Sequence, residues 1–254
     1  MEQRQHGMTQ QEIDSYRERW GKGPHVAADL AVVSVPFDHP EARLQVLLIR
    51  RAHGPYAGSF ALPGGFVEIS EDLEDAARRE LGEETGLADL GTAYVEQLKT
   101  YGLPKRDPRA RVISVVFLAL VPWHELKPTV AGDDASEARY FPLRAGEAVD
   151  EQGRGITMAF DHDLALRDLR VRLQLMAAHS SAPMLLLPAE FTLPQAQRAY
   201  EVWLERPLDP ERFDAWLLRQ RWLELVERPK GERDREQERH RLRVRKPLWA
   251  PPEG

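Results

Sequence analysis

The 254-residue sequence predicts an α/β protein: an α/β/α sandwich on a mixed sheet, followed by a smaller unit of two helices and a β-hairpin. Three observations carry that expectation. Apolar runs of strand length flank one glutamate-rich segment of helical period. A second helix with an apolar stripe follows the last of these runs. Beyond it, Ser180-Ser181-Ala182-Pro183 breaks the pattern, and short helices and a terminal hairpin take over.

Residues 9–20 read as a short polar helix, closed by Gly21-Lys22-Gly23-Pro24. Residues 26–36 and 44–51 read as strands joined by the turn-prone Asp38-His39-Pro40. In the second, Leu44-Gln45-Val46-Leu47-Leu48-Ile49 is almost continuously apolar, as in a strand buried on both faces. Residues 94–101 and 112–121 are further strands, and Ala138-Arg139-Tyr140-Phe141-Pro142-Leu143 is the last of this unit. Residues 161–179 form a helix with Leu166, Leu169, Leu173 and Met176 on one stripe. The expected organisation is an extension at 1–23, a first domain at 24–180 and a second at 181–254.

In the second domain Thr192 caps a helix carrying Ala196, Tyr200, Trp203 and Leu204. Asp209-Pro210 opens the next, since Asp is a good N-cap and Pro suits the first helical position. Trp222-Leu223-Glu224-Leu225-Val226 and Leu242-Arg243-Val244-Arg245 pair around a polar loop. Helix, turn, helix and hairpin is the order of a winged helix-turn-helix.

Composition removes several function classes. The absence of cysteine excludes disulfides, thiolate nucleophiles and zinc–thiolate sites. A net charge of −6 argues against wholesale nucleic-acid binding and leaves room only for a local patch. The first twenty residues lack the apolar core of a signal peptide, and no run is long enough to span a membrane, so a cytoplasmic protein without membrane contact is expected.

The chemistry concentrates in residues 65–87, GFVEISEDLEDAARRELGEETGL. Leu73, Ala76, Ala77 and Leu81 give the helix an apolar stripe. Glu80, Glu83 and Glu84 stand three and four residues apart, so their carboxylates share a neighbouring face. Such like charges repel, and a hard divalent cation removes the cost. Ser70 is the expected cap at the start, and Gly86 suits a left-handed end. Leu62-Pro63-Gly64-Gly65 lets the backbone turn sharply and approach a ligand or metal.

This segment carries the full signature of the Nudix hydrolases. Gly65, Glu71, Arg79-Glu80-Leu81, Glu83-Glu84 and Gly86-Leu87 stand at the signature's fixed offsets. The resemblance implies the Nudix α/β/α fold and hydrolysis of nucleoside diphosphates linked to another moiety. It implies Mg²⁺ as cofactor, with Mn²⁺ as an alternative. Glu80 and Glu84 are then the main metal ligands, with Glu83 assisting and the Gly65 carbonyl as a further ligand. Arg79 would pair with a glutamate and hold its rotamer, and Glu71 would support the site. A general base outside the helix is expected, with Glu137 or Asp134 as candidates.

Further segments resemble one branch of that family. These are Lys105-Arg106-Asp107-Pro108-Arg109, Gly132-Asp133-Asp134-Ala135-Ser136-Glu137-Ala138 and Ala159-Phe160-Asp161-His162. Leu187-Pro188-Ala189-Glu190-Phe191-Thr192-Leu193 and Pro207-Leu208-Asp209 join them in the second domain. Together they are similar to ADP-ribose pyrophosphatase-like proteins and to Nudix-related transcriptional regulators of NAD metabolism. The resemblance implies cleavage of ADP-ribose to AMP and ribose 5-phosphate, or else an ADP-ribose sensor fused to a DNA-binding winged helix. It also implies a homodimer. Arg106 and Arg109 read either as part of a turn or as planar phosphate donors. Asp161 and His162 read either as a helix cap or as ligand contacts. Phe60 and Tyr56 read either as adenine-stacking rings or as core aromatics. Gly64 is a candidate for close backbone contact with the substrate.

One departure bears on DNA. The second helix of the last domain carries Glu211 and Asp214, and residues 190–230 hold seven Lys or Arg against eight Asp or Glu. Acids on a reading helix oppose phosphate contact. Residues 230–246 hold eight basic residues against four acidic ones, which suits a wing on the DNA backbone or a solvated loop.

Overall fold

The computed structural model describes residues 9–20, 23–87, 89–91, 93–127, 129–132, 135–227 and 236–249. After the helix α1 (Gln10–Trp20) come the strands β1 (His25–Ser34) and β2 (Gln45–Arg51). Two short strands absent from the sequence expectation follow, β3 (Phe60–Ala61) and β4 (Gly64–Phe66), and lead into the glutamate helix α2 (Leu73–Thr85). Then come β5 (Tyr94–Tyr101), β6 (Val112–Leu120), β7 (Ala135–Arg144) and the short β8 (Glu147–Ala148), and the long helix α3 (His162–His179) closes the unit. The sheet order is β5-β6-β1-β2-β7-β8, with β3 on β2 and β4 on β1. β1 and β6 run parallel while the other pairs are antiparallel, so the sheet is mixed.

Strand alternation divides the core into two layers. Ala28, Leu30 and Val32 of β1 pack with Val115, Phe117 and Ala119 of β6 against Ala76, Ala77 and Leu81 of α2. Ala31 and Val33 pack with Val116, Leu118 and Leu120 on the other face, against Leu166, Leu169 and Leu173 of α3. That second layer continues into the C-terminal domain, where it includes Tyr200, Trp203 and Phe213.

The C-terminal domain is a winged helix built of α4 (Leu193–Leu204), α5 (Pro210–Arg219), β9 (Leu223–Glu227) and β10 (Arg239–Leu242). Thr192 and Gln195 form a capping box at the start of α4, and the Asp209 side chain accepts the Arg212 N–H at 2.9 Å at the start of α5. The second hairpin strand lies earlier than residues 242–245. In β10 burial alternates, with His240 and Leu242 inward and Arg239 and Arg241 outward, whereas Val244 is exposed. Bonds between Phe191 and His240 at 2.8 and 2.9 Å fasten this hairpin to the strand-like residue ahead of α4.

Candidate active site

β1 pairs with β2 only at Val33 and Ser34, and with β4 at Ala27, Ala28 and Asp29. The divergence admits β3 and β4 to the sheet and seats the glycine loop beside α2. The helix begins two residues later than a Ser70 cap would require. Asp72 is the N-cap, its carboxylate accepting the Glu74 N–H at 3.2 Å, so Ser70 stays in the preceding turn. Gly86 ends the helix at φ +74°, a left-handed conformation that glycine adopts without strain.

Arg79 gathers the carboxylates. Its Nε and Nη2 donate to the two oxygens of Glu71 at 2.8 and 3.0 Å, and Nη2 also donates to the Phe66 carbonyl at 3.1 Å. Its Nη1 donates to Glu80 at 2.8 Å and to Glu83 at 3.2 Å. A planar fork can serve this many acceptors where an ammonium could not. The hydrogen bonds from Arg79 hold the Glu71 carboxyl below its ordinary range. Glu83 lies at the rim with its side chain 60% exposed, whereas the Glu80 side chain is only 16% exposed.

Glu84 is buried, and one of its oxygens accepts the Gly64 N–H at 2.9 Å. Burial pushes its carboxyl up to about 8, and Glu80 adds repulsion against the Gly64 bond that favours the charged form. Burial raises the Glu80 carboxyl too. The Glu80 carboxylate lies directly on the backbone of Gly65, where an added Cβ would stand 2.3 Å from Glu80 Cδ. Glycine at 65 is therefore a requirement of close approach.

Among the described residues no three His, Asp or Glu side chains form a ready cage for an ion. Mg²⁺ does not require one, because it keeps several waters and takes one or two carboxylates together with substrate oxygens. Glu80 and Glu84 are hard oxygen donors, largely desolvated and mutually repelling, with the Gly65 backbone beside them. These residues fit a divalent cation.

A groove of about 400 Å³ opens over this group. Gly64, Gly65, Arg79, Glu80 and Glu84 line it together with Arg51, His53 and Arg109. Arg109 donates to the buried Asp107 carboxylate at 2.7 Å, and its guanidinium lies 5.2 Å from the Phe66 ring centroid. Arg51 stacks its guanidinium 5.0 Å from Phe160 and interacts electrostatically with both Arg109 and Glu84.

Other expected residues lie elsewhere. Arg106 forms a bidentate pair with Asp161, with Nε to Oδ2 at 2.9 Å and Nη2 to Oδ1 at 2.5 Å, and its side chain is only 4% exposed. It is not among the groove walls. Asp161 spends its carboxylate on Arg106 and makes no side-chain cap to α3. Phe60 is partly buried and packs edge-on against Phe141 at 4.8 Å, and the partly buried Tyr56 packs likewise against Phe160 at 4.9 Å. Glu137 sits on β7 opposite Arg50, bound to Arg139 at 2.8 Å, and the structure does not bring it to the groove. Asp134 lies outside the described residues.

A buried polar group lies beneath the glycine loop, and of its members the sequence reading named only His162. His162 Nδ1 accepts the Leu62 N–H at 3.0 Å, and its Nε2 stands 3.8 Å from Asp29, whose carboxylate accepts the Ser114 hydroxyl. Burial lowers the His162 pKa, so the imidazole is a neutral acceptor here. The available signal was a single acid inside the apolar run Ala27-Ala28-Asp29-Leu30-Ala31. For Arg51, it was a charge closing a buried strand.

The Nudix domain model matches residues 28–159, and the NrtR DNA-binding winged helix domain model matches residues 183–242. The ADPR responsive transcriptional repressor NtrR of Acinetobacter baylyi is 32% identical over 203 residues, 79% of this chain and 75% of that protein. The ADP-ribose pyrophosphatase of Methanocaldococcus jannaschii is 44% identical over 124 residues, 49% of this chain and 64% of its own length. The crystal structure of Shewanella oneidensis NrtR complexed with a 27mer DNA aligns with a TM-score of 0.67 at 29% identity, covering 86% of this chain and 93% of that one. The chain belongs to the Nudix family, as a Nudix domain followed by a winged-helix domain of the NrtR type.

Proposed function

We propose that this chain is a Mg²⁺-dependent pyrophosphohydrolase that cleaves ADP-ribose to AMP and ribose 5-phosphate, with Mn²⁺ as an alternative cofactor. The observation that carries the reading is the Arg79 fork, which holds Glu71, Glu80 and Glu83 together while Glu84 is fixed by the Gly64 N–H. Glu80 and Glu84 would hold the cation, with Glu83 and the Gly65 carbonyl in support. Bound there, a divalent cation neutralises pyrophosphate oxygens and lowers the pKa of the attacking water. Arg79 and Glu71 keep the carboxylates in place, and Arg51 and Arg109, which line the same groove, serve as cations for the diphosphate. Phosphoryl transfer asks mainly for positioning and charge stabilisation, which is what these side chains provide. The similarity to an ADP-ribose pyrophosphatase supports the substrate.

A second reading has its own support. The likeness to an ADPR responsive repressor and to a DNA-bound NrtR extends over both domains. On that reading the Nudix domain senses ADP-ribose and the winged helix binds DNA to regulate NAD metabolism. Exposed Arg239, Arg241 and Arg243 on the hairpin favour a backbone contact, and Glu211 on α5 opposes one. The family resemblance supports a cytoplasmic homodimer, whose assembly sedimentation of the full chain would test. Incubation with ADP-ribose and Mg²⁺, alongside a gel shift on the upstream region of NAD-synthesis genes, separates the two readings. AMP release without a shift supports the enzyme. A shift relieved by ADP-ribose, without AMP, supports the sensor.

A further inference from the structure

We propose that the cleft between α4 and the rim of the sheet is a second anion site, which takes a multiply charged phosphorylated small molecule. The cleft measures about 560 Å³, against about 400 Å³ for the groove over α2. Both sizes lie within the range of small-molecule sites. Its cations come from separate segments: Arg43 between β1 and β2, Arg144 at the end of β7, Arg198 in α4 and Arg206 just beyond it.

The two carboxylates of the cleft are already engaged. Glu201 accepts from Gln197 Nε2 and from the Leu208 N–H, each at 2.9 Å. Glu205 pairs at 2.9 Å with Arg170, a buried guanidinium that also donates to the Trp203 carbonyl. Arg43 turns to the exposed Glu41 at 2.6 Å. Arg144, Arg198 and Arg206 have no carboxylate partner among the described residues.

With Arg43 paired to Glu41 and Glu205 to Arg170, the guanidiniums of Arg144, Arg198 and Arg206 outnumber the one remaining carboxylate, Glu201, and leave the cleft positive, which favours a ligand with two or more negative charges. The planar forks match phosphate oxygens in particular. Buried Leu44, Leu143 and Val202 give the cleft an apolar floor, suited to the uncharged part of such a ligand. Because α4 belongs to the winged helix and the rim to the Nudix domain, an occupant would touch both. This site is independent of the carboxylate groove and of what that groove does.

The test is calorimetric titration of the full chain with inorganic triphosphate in EDTA. Wild type is compared with Arg144→Ala/Arg198→Ala and with Arg109→Ala. Loss of two charge-assisted contacts is expected to weaken binding about tenfold or more in the double variant. Arg109→Ala should bind like wild type, and the melting temperature of the unliganded double variant should be unchanged, since both arginines are exposed. Undetectable binding to wild type, or equal binding to wild type and the double variant, overturns the proposal. So does a loss confined to Arg109→Ala, which would place the anion in the carboxylate groove. A double variant impaired only toward duplex DNA would make this face a DNA contact and also overturn it.

Discussion

Glu84 and Gly64 are joined by a 2.9 Å hydrogen bond that spans twenty residues of chain, from the end of α2 back to the loop ahead of it. The same carboxylate that fixes the loop is the most deeply buried acid of the groove. Its protonation state therefore bears on loop, helix and cation together.

In the metal-free chain the Glu84 carboxyl is pushed up to about 8 by burial, from an ordinary 4.5. The folded state then holds the proton more tightly than the unfolded one, so stability falls as pH rises through the interval between those two values. Glu84→Gln has no such proton to lose. Thermal unfolding in EDTA from about pH 5 to about pH 9 should show wild type losing ground to the variant, with Mg²⁺ stabilising wild type alone. Parallel pH profiles would contradict this account of Glu84.

Gly65→Ala would place a Cβ 2.3 Å from Glu80 Cδ. The group in the way is the end of a flexible side chain, so the fold should survive while Glu80 swings aside. Expected outcomes are a melting temperature within about 3 °C of wild type and hydrolysis reduced by roughly 10²-fold or more. A variant that hydrolyses normally would show that Glu80 need not touch the backbone at 65.

Arg79→Lys retains the charge and loses the fork that reaches Glu71, Glu80, Glu83 and the Phe66 carbonyl. Turnover should drop roughly 10–100-fold, the range for groups that orient metal ligands. Circular dichroism should be unchanged. Comparison with Arg79→Ala tells whether charge alone suffices, and a fully active lysine variant would mean that it does.

Arg106 and Asp161 form an ion pair with side chains 4% and 15% exposed. Arg106→Met leaves a carboxylate buried without its partner, at a cost of about 3–5 kcal/mol in urea unfolding. Adding Asp161→Leu should recover most of that loss. If the single substitution proves harmless, the pair does not anchor α3.

Sequence carried the local features well. The glutamate spacing, the left-handed Gly86, the Thr192 cap and the Asp209 cap each depend on neighbours a few residues apart. Ser70 was the expected cap of α2 and Asp72 takes the role, because the apolar spacing does not fix the helix start to within two residues. The hairpin register slipped for a similar reason, since basic residues at alternate positions run from Arg239 through Arg245 and mark no end. That Asp29 and Ser114 join His162 was invisible, because it depends on the parallel pairing of β1 with β6 and on α3 returning beneath them. Arg106 and Arg109 looked equivalent in sequence. They separate because Asp161, 55 residues away, holds Arg106, while Asp107, two residues away, holds Arg109 at the groove.

The most direct measurement is product analysis of wild type and Glu84→Gln with ADP-ribose and Mg²⁺. The account predicts AMP and ribose 5-phosphate from wild type. It predicts loss of at least about 10²-fold in the variant, with its melting temperature near pH 6 retained. ADP-ribose that binds wild type but is recovered intact would contradict it, and would leave this groove as the sensor of a regulator.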